Sequence, residues 1–189
     1  TPLISGQTAN IYALKKRWFR HETLETSNIP DHGYRGHVVI VGGGKVGFQT
    51  AQILKRLNVP FIIIELDHRR FEQAKGAGMS VVYGDARQEI VLEAAEIKTA
   101  TLLILTTSSL VVTRSTIVQS KRLNGQLSIV VRTPGPDYFD EMKDLGVSEV
   151  VLPDFEASLE LTRQSLLHLR IPPTEVQRHT DTVRQELYA

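Results

Sequence analysis

Apolar residues in this chain come in short unbroken runs, each followed by a glycine or a polar turn. His37-Val38-Val39-Ile40-Val41 is the first, Phe61-Ile62-Ile63-Ile64 the second and Ser80-Val81-Val82-Tyr83 the third. Thr101-Leu102-Leu103-Ile104-Leu105, Ser128-Ile129-Val130-Val131 and Glu149-Val150-Val151-Leu152 follow. Runs this short, rich in β-branched residues and apolar on consecutive positions, predict strands buried on both faces. Between them the pattern changes to helical spacing. Val46, Ala51, Ile53, Leu54 and Leu57 recur that way through Phe48–Leu57. Further helices are predicted over Arg69–Gly78, Gln88–Ile97, Leu110–Leu123, Tyr138–Leu145 and Phe155–Leu169, several ending at glycine or Asn124-Gly125. Strand and helix alternate six times, which predicts an α/β, Rossmann-type parallel six-stranded sheet with helices on both faces.

The first turn carries the chemistry. Gly42-Gly43-Gly44-Lys45-Val46-Gly47 lies between the first strand and the first helix, and a second strand ends in Glu65 eighteen residues beyond Gly47. Strand, glycine turn, helix, strand and acid in that order are the pattern of a dinucleotide-binding unit. Glycines permit the tight turn and let backbone N–H groups approach a phosphate, to which the helix beginning near Lys45 offers its positive end. Glu65, with Leu66 beside it, is placed to accept hydrogen bonds from ribose hydroxyls and to repel a 2′-phosphate. These residues predict binding of an adenine nucleotide.

In an open parallel sheet ligands bind beyond the carboxyl ends of the strands. The remaining strand ends supply Asp85 and Ala86, then Thr106, Thr107 and Ser108, then Arg132. Asp85 is read either as a contact to the adenine region or as a turn-former after the third strand. Thr106, Thr107 and Ser108 suit ribose or phosphate, and a helix cap explains Ser108 equally well. Arg132 ends an apolar strand and requires a partner, either a phosphate or a neighbouring carboxylate.

Composition narrows the classes. The chain has 189 residues, 41% hydrophobic, enough for one sizeable core, and a net charge of +1 that gives no global attraction to nucleic acid. It has no cysteine, which removes disulfides and thiolate metal sites, and its six histidines do not cluster at metal-ligand spacing. No apolar stretch is as long as the roughly 18 residues a membrane span requires. The start at Thr1 rather than methionine is taken as the mark of a fragment.

Residues 37–170 resemble the RCK domain, also called TrkA-N or KTN. The resemblance rests on Gly42–Gly47, on Glu65 with Asp67, and on Gly84-Asp85-Ala86. It continues through Val131-Arg132, Leu145-Gly146-Val147 and Pro153–Leu159. It implies a cytoplasmic nucleotide-sensing module of potassium channels and transporters, with Glu65 on ribose, the Asp85 turn by the adenine and Arg132 on phosphate. Many relatives carry Asp in place of Glu65 and an acidic pair in place of Thr107-Ser108, so AMP, ATP and NAD or NADH all stay open as ligand. Arg69 and Arg70 leave room for a 2′-phosphate.

The flanking segments extend this reading. Residues 1–36 are expected to be a juxtamembrane segment and linker. Basic Lys15, Lys16, Arg17 and Arg20 lie among Tyr12, Trp18 and Phe19, a composition that fits either a solvated surface helix or a segment at an anionic membrane. With the resemblance, the second reading places residues 11–22 at the cytoplasmic face of a membrane, after the transmembrane domain of a Kef-type monovalent cation:proton antiporter. A channel or Trk-type subunit is the alternative. Residues 171–189 form a polar extension expected to be helical or mobile. Phe155, Leu159, Leu161, Leu166, Leu167 and Leu169 exceed one core-facing stripe, and with the family habit of pairing they predict a homodimer. No Tyr-x-x-x-Lys or His–Asp pair marks a hydride site and no substrate domain is present, so a regulatory domain is expected and not an enzyme.

Overall fold

The computed structural model describes residues 24–188; the basic segment and the membrane expectation for residues 11–22 lie outside them. Its strands are β1 (Glu25–Ser27), β2 (Val38–Val41), β3 (Phe61–Glu65), β4 (Val81–Tyr83), β5 (Leu102–Leu105), β6 (Ser128–Arg132) and β7 (Glu149–Val151). Its helices are α1 (Lys45–Arg56), α2 (His68–Gly76), α3 (Glu89–Ala94), α4 (Leu110–Leu123), α5 (Phe139–Asp144), α6 (Pro153–His168) and α7 (Pro173–Tyr188). The sheet order is β1-β4-β3-β2-β5-β6-β7, parallel except for β1, which pairs antiparallel with β4. The chain reverses direction across the sheet at β2 and β5, which places the glycine turn at the switch point.

Seven strands replace the six expected. The additional one, Glu25-Thr26-Ser27, has no apolar residue; main-chain pairing to β4 makes it a strand. The segment after it, read from its prolines and glycines as a linker, is fastened to the sheet. Asn28 Nδ2 donates to Lys75 O and Met79 O, each at 3.0 Å, and Ser80 Oγ donates to Asn28 O at 2.6 Å. Leu24, Ile29 and Tyr34 pack against the core on one face.

That core has two halves divided by the sheet. On one side Val39, Val41, Ile62 and Ile64 meet Val91 and Leu92 of α3, Ile117 of α4 and Met142 of α5. On the other Val38, Ile40, Phe61 and Ile63 meet Ala51 of α1 and Phe71 and Ala74 of α2. Burying each such Val, Ile or Phe is worth about 1.5–3 kcal/mol. The cover is unequal. β2 and β3 are buried along their whole length, whereas Leu103 and Leu105 of β5 are buried and Leu102 and Ile104 only half so.

Two expectations for α1 and α4 change. Val46, Ile53 and Leu57 have helical spacing but are exposed; the face against the sheet is Gly47 and Ala51, with Phe48 and Leu54 half-buried beside them. α4 is capped by Ser109, whose side chain accepts the Val112 N–H at 3.4 Å, and not by Ser108. Residues 173–188 are helical, and α7 runs back along α6. Arg184 pairs with Glu156 at 2.9 Å, and the Tyr188 hydroxyl accepts the Leu152 N–H at 3.0 Å.

Candidate functional site

The six residues of the glycine turn divide the work. Gly42 has φ +99°, a left-handed conformation a side chain would strain. Gly47 allows close approach of α1 to β2, since a Cβ there would collide with Gly42 O. Gly44 does neither. Its backbone is ordinary (φ −66°), and the nearest atom to an added Cβ is Arg70 Nη1 at 3.8 Å. The turn is therefore held by its outer glycines and left open at Gly44, the helix cap. No side chain caps α1, and its first turn has no acid, so its leading N–H groups and Lys45 present uncompensated positive charge.

Glu65 reaches into this turn from the end of β3. It is 5% exposed, and its Oε2 accepts the Gly43 N–H at 2.5 Å. Oε1 accepts the N–H groups of Leu66 at 2.8 Å and Asp67 at 2.7 Å. A buried carboxylate is tolerated because three main-chain donors surround it, with the Arg70 guanidinium 4.0 Å away. Oε1 is saturated by two bonds; Oε2 keeps a lone pair for a further donor. Leu66 is exposed beside it.

On the other side of the turn, Thr106 Oγ1 donates to Val41 O at 3.0 Å and to Gly42 O at 2.9 Å. Arg132 Nη1 donates to Thr106 O across 3.5 Å, so its guanidinium lies next to the residue that braces the turn. Thr107 Oγ1 accepts the Ser109 N–H at 3.2 Å, while Ser108 is exposed before α4. Gly42–Gly47, Glu65, Thr106 and Arg132 thus come together.

Asp85 is occupied locally. Its Oδ1 accepts the Arg87 N–H at 2.9 Å, and the Arg87 guanidinium grips both oxygens, with Nη2–Oδ2 at 2.6 Å. That guanidinium holds the carboxyl below its usual range. Asp85 is a turn-former here, and Ala86 is buried in the core. Arg87 was missed by the sequence reading; its place two residues after a strand-end acid was the available signal. Among the described residues no group of histidine, aspartate or glutamate could hold a metal ion, and no helix is long and apolar enough to cross a membrane.

The TrkA-N domain profile matches residues 38–153, from β2 to the start of α6. The chain belongs to the TrkA-N family. Over 175 residues, 91% of this chain and 26% of the relative, it is 30% identical to a putative K+ efflux antiporter KefB of Alkalimonas amylolytica. It is also 30% identical over 162 residues to potassium channel protein 1 of Methanocaldococcus jannaschii, covering 85% of this chain and 46% of that one. The chain thus spans less than half of either relative's length. Among solved structures, the Kef C-terminal domain of Shewanella denitrificans in its AMP-bound form superposes with a TM-score of 0.67 at 24% identity, covering 79% of this chain and 91% of that one.

Proposed function

We propose that this chain is the regulatory nucleotide-sensing domain of a potassium or other monovalent cation:proton antiporter, working at the cytoplasmic face of the membrane and attached to a transmembrane antiporter domain of the same protein. The observation that carries the reading is the Glu65 carboxylate on the Gly43 N–H beside an unobstructed Gly44. The ligand is an adenine nucleotide, either AMP, ATP or NAD(H). Its phosphate lies on the N–H groups at the start of α1, with Lys45 and Arg132 supplying charge, and a ribose hydroxyl donates to the remaining lone pair of Glu65 Oε2. The AMP carried by the Kef relative supports this class of ligand.

The role is binding without turnover, which the TrkA-N family membership supports. The domain works as a homodimer, and nucleotide state reaches the membrane because the ligand binds one arrangement of the two subunits better than the other. The channel relative favours a second reading, in which the same domain gates a potassium pore. Thermal melts with AMP, ADP, ATP, NAD and NADH test the site: at least one should raise the melting temperature in a dose-dependent way. If all five leave it unchanged, the reading of the turn fails.

A further inference from the structure

An acid at the end of the second strand of a nucleotide-binding unit takes the ribose hydroxyls, whereas an arginine nearby accommodates a 2′-phosphate. This chain has both, and they share one corner of the site. Glu65 has little acceptor capacity left, because the Gly43, Leu66 and Asp67 N–H groups fill three of the four lone-pair positions of its carboxylate. One ribose hydroxyl can be accepted at Oε2, and not two. The negative charge is spread over those donors and met by Arg70, whose Nη1 lies 4.0 Å from Oε2. The cap of α2 places that arginine. Asp67 Oδ1 accepts the Arg70 N–H at 3.0 Å, and Phe71 and Ala74 turn the next face of the helix into the core. Arg70 is left on the flank toward the glycine turn, where Nη1 is the nearest atom, at 3.8 Å, to the position of a Gly44 Cβ. Its side chain is 54% exposed, so the guanidinium reaches this corner from the solvent side.

We infer, on the reading that the turn holds an adenine nucleotide, that Arg70 makes the site prefer nucleotides carrying a ribose 2′-phosphate, the NADP(H) class, over their unphosphorylated counterparts. The 3′-hydroxyl donates to the remaining lone pair of Glu65 Oε2, and the 2′-phosphate takes the planar fork of Arg70. The 5′-phosphate stays at the start of α1 with Lys45, and with Arg132 on the other side of the turn. Repulsion between Glu65 and a 2′-phosphate opposes this. It is outweighed because the carboxylate keeps its three main-chain donors while the phosphate gains a bidentate cation, with Arg69 exposed at the preceding residue.

Isothermal titration of the 189-residue chain with two matched pairs tests this, AMP against adenosine 2′,5′-bisphosphate and NAD against NADP. The 2′-phosphorylated member of each pair should bind about tenfold tighter, the worth of one charge-assisted phosphate contact. Arg70→Ala should bring the ratio within each pair to one or below. Arg70→Lys should keep part of it, since lysine supplies the charge without the fork. Both variants alter an exposed side chain, so melting temperatures without ligand should match the wild type. Wild-type binding of AMP and NAD at least as tight as that of their 2′-phosphorylated partners overturns the preference and leaves the nucleotide reading of the turn standing. A preference that survives Arg70→Ala, or that Arg69→Ala removes equally, overturns Arg70 as its reader. Failure of all four ligands to bind overturns the reading of the turn and the preference together.

Discussion

Glu65 and Gly43, twenty-two residues apart, are joined by a 2.5 Å hydrogen bond from the glycine N–H to the carboxylate, so the end of β3 closes the loop that follows β2. Removing the carboxylate orphans three main-chain donors, each worth about 1–3 kcal/mol when buried without an acceptor. Because water can reach part of the turn, Glu65→Ala should cost about 2 kcal/mol in urea unfolding. It should also weaken nucleotide binding at least tenfold. Loss of affinity with unchanged stability would show that the three bonds are dispensable to the fold.

Gly44 and Gly47 should separate cleanly. Gly44→Ala meets only the tip of the Arg70 side chain at 3.8 Å, so stability should change by less than about 0.5 kcal/mol while nucleotide affinity falls. Gly47→Ala drives a Cβ into Gly42 O and should cost about 3 kcal/mol. Paired melting and titration curves check both.

Arg132 makes a long 3.5 Å hydrogen bond to Thr106 O and stands next to the turn. Arg132→Ala should lower affinity for a nucleoside phosphate about tenfold, equivalent to about 1.4 kcal/mol, and leave the adenosine affinity unchanged. Equal losses for nucleotide and nucleoside would remove Arg132 from phosphate contact.

Acid should destabilise the domain through its paired carboxylates. Asp85, Glu141, Glu156 and Glu160 are each held below their ordinary range by a neighbouring arginine, Glu160 down to about 2. A carboxylate lowered on folding adds stability above its unfolded pKa of about 4, and that stability is lost as pH falls through the folded value. The melting temperature should be flat from neutrality to about pH 5 and fall below about pH 4. Arg184→Met, which releases Glu156, should shallow that fall.

The strands and the glycine turn were legible because continuous apolar runs and a glycine pattern both act locally. The faces of α1 were not. Its fully buried positions are Gly47 and Ala51, residues that carry almost no apolar signal, flanked by half-buried Phe48 and Leu54, while Val46, Ile53 and Leu57 carry apolar signal and face outward. The pairing of Asp85 with Arg87 was not legible because it acts through side-chain geometry that spacing does not encode. β1 was invisible for a related reason, its cause being the unpaired main chain of β4 and not its own side chains.

Asn28 should report on that strand. It sits at φ +57°, and its amide holds two carbonyls, so Asn28→Ala should cost about 1–2 kcal/mol and speed hydrogen exchange in β1 and β4. Unchanged exchange at Val82 would show that β1 holds without it.

β1 also sets where this domain can be cut. The TrkA-N match begins at residue 38, beyond β1. A chain trimmed there would leave the main-chain donors and acceptors of β4 bare at the sheet's margin, a template for strand-to-strand aggregation. Three residues of no apparent hydrophobic value thus act as a selvedge, and the solubility of the isolated domain depends on keeping them.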